Sequence, residues 1–188
     1  MACSEFAKGH TKKAVLGSLL IVGALGISNT ASAQQTTNQN QVAGNQSTVA
    51  GGYQNRANGN QSTIAGGERN YAIGDRSAIG GGKFNQAIGH GSAIGGGELN
   101  QATGNQSTIA GGYQNQATGN QSAIAGGYNN HATGESSTVA GGSTNQAQGG
   151  ASTVGGGHKN IAKGETSTVA GGYNNQATGD RSAISGGE

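Results

Sequence analysis

The chain has no proline and no tryptophan, a single cysteine, few aromatic residues (4%) and few charged ones (10%). Each shortage excludes something. Without proline, no residue is barred from donating its backbone N–H to a neighbouring strand. The only cysteine, Cys3, lies close to the N-terminus, so no disulfide framework and no thiol chemistry is available to the rest of the chain. The net charge of +2 comes from Lys8, Lys12 and Lys13 against Glu5, while seven basic and seven acidic residues balance from residue 34 onward. There is accordingly no basic stripe of the kind that nucleic-acid binding requires. Glycine is abundant (39 residues) but does not recur at every third position, which excludes a collagen triple helix.

What is present is a repeat. Residues 45–59 read Asn-Gln-Ser-Thr-Val-Ala-Gly-Gly-Tyr-Gln-Asn-Arg-Ala-Asn-Gly, and the pattern returns every 15 residues to the end of the chain, with Ser at 47, 62, 77, 92, 107, 122, 137, 152, 167 and 182. A fixed, short period is the signature of a solenoid. Low hydrophobicity with few aromatics is also a composition of disordered chains. A disordered chain, however, has no reason to hold Val or Ile in one slot of every copy. Slots are numbered here by the first copy. Slot 49 (Val49) is always Val or Ile, slots 51 and 52 (Gly51, Gly52) always Gly, slot 55 (Asn55) always Asn, slot 57 (Ala57) always Ala and slot 59 (Gly59) always Gly.

β-Branched residues favour strands, and alternation about slot 49 predicts a strand over slots 47–51 with Ser, Val and Gly on one face. Slots 55, 57 and 59 alternate likewise and predict a second strand with Ala57 inward. Each copy is then one coil, two strands of about five residues joined by two turns. Gly59 is expected at a turn position of positive φ. Asn55 and its copies are expected to stack as an amide ladder, a structural column rather than a ligand site. Ten coils at ~4.8 Å make a rod roughly 45 Å long. So small an interior calls for further burial. The opposite face of the first strand offers it, with only Thr or Ala at slot 48 and only Ala, Gly or Ser at slot 50. That smooth face predicts an oligomer.

Residues 1–33 have the organisation of a secretory signal peptide: basic residues, the apolar run 14–27, then Ala31-Ser32-Ala33 as a cleavage site. Residues 34–44 form a polar lead-in, and 45–188 are the array. The apolar run is shorter than the ~20 residues of a membrane-spanning helix.

Nothing in the array reads as catalysis. Gly80-Gly81-Gly82-Lys83 lacks the Ser/Thr and helix of a phosphate loop. His90, His131 and His158 fall at different slots, so no metal cluster is implied. Asp75 and Asp180 lie too far apart for paired-carboxylate chemistry. The Asn-Gln-Ser sequons at Asn45, Asn60, Asn105 and Asn120 are the spelling of the repeat. No catalytic residue, cofactor or metal site is expected. The variable slots are 53, 54, 56 and 58, with 45 and 46 at a corner, and variation implies exposure. Candidate partner-facing residues are Tyr53, Arg56, Tyr71, Phe84, Tyr113, Tyr128, His131 and Tyr173.

The unit Ser-[Thr/Ala]-[Val/Ile]-[Ala/Gly]-Gly-Gly…Asn-x-Ala-x-Gly resembles the head repeat of trimeric autotransporter adhesins of the YadA-like type. The leader, residues 2–17, closely resembles the extended signal peptide of the ubiquitous surface protein A adhesins. The resemblance implies a left-handed parallel β-roll in which three chains wind side by side, outside the outer membrane. It implies a coiled-coil stalk and a C-terminal membrane anchor beyond Glu188, which falls inside a repeat. It also implies a surface adhesin that binds extracellular matrix proteins of the fibronectin, laminin and vitronectin class, or complement components. The expected protein is an all-β solenoid, a homotrimer at the cell surface that binds without catalysis and has no nucleic-acid partner. Two rivals are a structural spacer that lifts a distal binding region, and an ice-binding solenoid, against which the Thr/Ala mixture at slot 48 argues.

Overall fold

The computed structural model describes residues 39–188. The expected signal peptide and residues 34–38 of the lead-in lie outside them. Each coil contributes two strands of two residues, beginning with β1 (Gln41–Val42), β2 (Thr48–Val49), β3 (Arg56–Ala57) and β4 (Thr63–Ile64), and ending with β19 (Gln176–Ala177) and β20 (Ala183–Ile184). Alternate strands pair, so the odd-numbered strands form one ten-stranded parallel sheet and the even-numbered strands another. Register is one full period throughout, as in Thr48 opposite Thr63 and Val49 opposite Ile64. This is an all-β parallel solenoid. Among the described residues, no helix is long and apolar enough to cross a membrane.

The regular strands are shorter than the five residues expected, and the coil has a third ladder that the alternation did not reveal. Slot 53 bridges in parallel from coil to coil, Tyr53 to Glu68, Glu68 to Lys83 and onward to Tyr173. The cause lies in two left-handed residues per coil. At slots 46 and 54 the backbone has positive φ, for example 56° at Gln106 and 56° at Gln114. Such residues reverse the hydrogen-bonding direction. Most N–H groups reach forward to the next coil, as Thr63 N to Ser77 O at 2.9 Å. The left-handed ones reach back, as Gln106 N to His90 O at 2.8 Å and Gln114 N to Glu98 O at 3.0 Å. The left-handed region is unfavourable by about 1–2 kcal/mol for most residues, and here each instance closes a hydrogen bond between coils. The chain thus turns sharply at both places, leaving no length for five-residue strands.

The interior is thin and continuous. Ile64, Ile79, Ile94, Ile109, Ile124, Val139, Val154 and Val169 stack in one column, faced by Ala57 and its copies. Ser62 and Asn70 with their copies close the remaining inner positions and are buried as well. The inward settings of slots 47, 49, 55, 57 and 59 are therefore as the alternation predicts, but slot 51, expected on the same face as Ser47 and Val49, is not buried: a Cβ on Gly51 would meet nothing within 4 Å.

Two expectations about that interior are corrected. Gly59 and its copies do not adopt positive φ; the glycine that does so in every coil is the one at slot 52, with φ of 85° at Gly52 and 92° at Gly112. Slot 59 requires glycine because the next coil passes too close. A Cβ on Gly104 would lie 2.0 Å from the Gly119 carbonyl oxygen. The Asn column stacks in register as expected, but it bonds chiefly to backbone rather than amide to amide. Asn115 N donates to Asn100 Oδ1 at 3.0 Å, while Asn100 Nδ2 donates to Gly96 O at 3.1 Å and Gly112 O at 2.9 Å. Each Asn therefore clamps its own coil and both neighbours. A direct amide–amide contact occurs between Asn175 Nδ2 and Asn160 Oδ1 at 3.2 Å, in the last coils.

Candidate functional site

Because slots 55, 57 and 59 point inward, the residues between them point out, and slots 53, 54 and 56 line one side of the rod. The candidates fall into columns there. Tyr53, Tyr113, Tyr128 and Tyr173 lie on the slot 53 ladder, Phe84 on slot 54, and Arg56, Tyr71 and His131 on slot 56. All have accessible surface; Tyr128 is the most exposed of the tyrosines at 50%, whereas Tyr71, Phe84 and His131 are half-buried.

Exact register makes like residues stack along a column. Tyr113 and Tyr128 lie with ring centroids 5.7 Å apart and planes 7° from parallel. His158 and Tyr173 repeat the arrangement at 5.5 Å and 4°. Charged residues take the same places elsewhere. Lys83 Nζ is 3.3 Å from Glu68 Oε2 and 5.1 Å from the Phe84 ring, whose face also carries Arg69 at 5.4 Å. Arg56 stands over Tyr71 at 6.0 Å and donates from Nε to Gln41 Oε1 at 2.8 Å. The structure thus groups the eight candidates by column but does not gather them into one pocket: Tyr53, Arg56, Tyr71 and Phe84 lie toward the N-terminal end, Tyr113, Tyr128 and His131 in the middle, and Tyr173 toward the C-terminal end.

His131 is half-buried between Gln116 and Gln146 of the neighbouring coils. Burial holds its pKa below the ordinary value of 6.5, so the ring favours the neutral form, with Nε2 3.2 Å from Asn129 Oδ1. Among the described residues, no three His, Cys, Asp or Glu side chains come together in a group able to hold a metal ion.

Two features escaped the sequence reading. Slot 45 is more than a variable corner, because its Asn or Asp side chains cap the preceding coil. Asn60 N donates to Asp75 Oδ1 at 2.8 Å and Asn105 N to Asn120 Oδ1 at 3.0 Å. The signal available was the frequency of Asn and Asp at that slot. The second is an apolar pair at slot 58, where Ile73 (45% exposed) and Ile88 (38%) occupy successive coils. Isoleucine replacing Asn, Thr or Gln at that slot was the available signal.

A family model described as the ubiquitous surface protein adhesin repeat matches residues 47–59, 107–119 and 167–179. The three matches begin 60 residues apart, four coils each time, and each spans slots 47 to 59, the part of the coil that holds the invariant Ser, Gly, Asn and Ala. No curated protein matches the chain. The intervening coils carry the same slots in the same register, so three coils of this parallel β-solenoid match the ubiquitous surface protein adhesin repeat and the others share its pattern.

Proposed function

We propose that the array is the head of a bacterial surface adhesin that attaches to host cells or to extracellular matrix proteins of the fibronectin, laminin and vitronectin class, or to complement components. Binding is multivalent and non-catalytic. The observation that carries this reading is the adhesin repeat itself, laid out so that an invariant interior supports outward columns of varied side chains. A rigid rod presenting Tyr, Arg, Lys and Phe at fixed intervals suits recognition of extended partners, since Tyr and Arg are the side chains that most often dominate protein interfaces. Linked weak contacts raise avidity by roughly 10²–10⁴-fold.

The proposal includes a homotrimer delivered by the leader to the cell surface and held at the outer membrane by segments beyond Glu188. Support for self-association comes from slots 48 and 50, whose Thr, Ala and Gly side chains form the outward face of the even-numbered sheet. The number three follows from the resemblance to trimeric autotransporter heads.

The test is to fuse residues 39–188 to a trimeric coiled coil and measure binding to immobilised fibronectin, laminin, vitronectin and complement C3. We expect saturable binding at physiological salt that weakens when Tyr113 and Tyr128 are both changed to Ala. A folded trimer that binds none of the four would leave the array as a spacer.

A further inference from the structure

The slot 53 ladder reads Tyr113, Tyr128, Ser143, His158, Tyr173 over five successive coils, each bridged in parallel to the next. Rings fill every rung of this stretch except that of Ser143. Rungs of a parallel ladder are ~4.8 Å apart, so Tyr128 and His158, two rungs from each other, are separated by roughly 9.6 Å. That distance is two stacking steps. One planar ring placed between them would sit ~4.8 Å from each, within the roughly 4.5–7 Å range of favourable aromatic pairs. The ladder shows the geometry with its rungs occupied, in Tyr113 on Tyr128 at 5.7 Å and His158 on Tyr173 at 5.5 Å.

The floor of the gap narrows the choice of occupant. The Ser143 backbone is already bonded, its N–H to Gly157 O at 2.9 Å and its carbonyl from Lys159 N at 3.0 Å. What remains is the pair Ser143 Oγ and Thr144 Oγ1, 3.3 Å apart, of which either can donate. One hydroxyl of the pair keeps a free proton and both keep lone pairs. A ring with its own O–H or N–H meets them; a phenyl ring would leave them unpaired. Charge is absent from the rung. Lys159 reaches Tyr173, with Nζ 6.0 Å from that ring, and His131 is engaged by Asn129. A neutral ring is therefore favoured over a cationic or anionic one.

We propose that the Ser143 rung is a docking slot for one aromatic side chain, tyrosine or tryptophan, presented by a partner protein and stacked between Tyr128 and His158. This deepens the adhesive reading by naming the chemistry of a contact on the same face, and its test needs no matrix protein.

The experiment titrates the full chain with N-acetyltyrosinamide and N-acetyltryptophanamide, with N-acetylleucinamide as control, and follows amide and ring resonances by NMR. Saturable shifts centred on Tyr128, Ser143 and His158 are expected for the two aromatic probes and not for the leucine probe. Ser143→Tyr fills the rung, and because Tyr occupies this slot in four other coils the variant should fold and melt no lower than the parent. We expect it to weaken probe binding about 10-fold or more, while Ser143→Ala, which keeps the gap, retains most of it. Absence of saturable shifts in the parent chain, or undiminished binding by Ser143→Tyr, overturns the proposal. Probe binding by a chain that attaches to no matrix protein would sink the adhesive reading and leave the slot standing.

Discussion

At the residue scale, the invariant positions are invariant for different physical reasons, and substitution separates them. Gly104 and Gly96 are both repeat glycines, yet a Cβ on Gly104 meets the Gly119 carbonyl at 2.0 Å while one on Gly96 meets nothing within 4 Å. Gly104→Ala should cost about 3 kcal/mol or more in urea unfolding, and Gly96→Ala no more than roughly 0.5 kcal/mol. Asn100 and Ser107 make a second contrast. Asn100→Ala removes three bonds and strands the buried Asn115 N–H and the Gly96 carbonyl, while the Gly112 carbonyl keeps the Glu98 N–H, an expected loss of about 2–4 kcal/mol. The buried Ser107 hydroxyl has no partner, so Ser107→Ala should leave stability unchanged or slightly raised. His131 supplies a pH dependence. Burial lowers its pKa from 6.5, so the unfolded chain takes up the proton first. The stability owed to the neutral ring is complete above that ordinary value and is lost as pH falls through it and then through the folded value. Thermal melts should therefore drop on acidification, and His131→Gln should remove that part of the drop, Gln being the residue at the same slot in Gln116 and Gln146.

At the scale of the element, the unit is the coil rather than the strand, since a two-residue strand has no stability apart from its neighbours. Each coil touches only the one before and the one after, so stability is close to a sum over coils and the interfaces between them. Ile109 pairs with Ile94 and Ile124 along the core column. Ile109→Ala should cost about 2–5 kcal/mol, the range for a large-to-small core change. Deleting residues 105–119 as a block should preserve the β spectrum in circular dichroism, because slot 59 of one coil then meets slot 45 of another as before. Deleting Ala110 alone should be far more damaging. It moves the following residues of that coil off their slots, and a one-residue slip exchanges inward for outward side chains.

At the scale of the whole array, residues 39–188 form a rod in which each coil is hydrogen-bonded through its backbone to the coils on either side. Among the described residues, the outermost strands β1, β2, β19 and β20 each pair on one side, and arrays of this kind are ordinarily capped. Along the rod, the outward small residues of slots 48 and 50 are the surface on which a second copy can approach closely. If that face carries the proposed trimer, the full chain should sediment as a trimer at micromolar concentration. Changing Ala110 and Ala125 to Glu should dissociate it without unfolding the coil, because both side chains are exposed in the single chain. A stable monomer at the same concentration would overturn the oligomer.

The period of 15, read from Ser47 to Ser182, was sufficient to determine the register of every strand pair, because residues one period apart are neighbours in any solenoid. Alternation about Val49 and Ala57 determined which side chains point inward. What only the tertiary structure decided concerns the path of the backbone between those positions. Left-handed dihedrals at slots 46 and 54 fall on Gln, Arg, Phe, Leu, Thr and Lys alike, so no residue type announces them, and with them went the third ladder at slot 53. Gly59 is legible as invariant, but whether a glycine is needed for its φ or for the 2.1 Å approach of the next coil is a matter of distance. Tyr128 and His158 are thirty residues apart and differ in kind. They face one another across Ser143 only because two turns of the coil bring the same slot back to the same line.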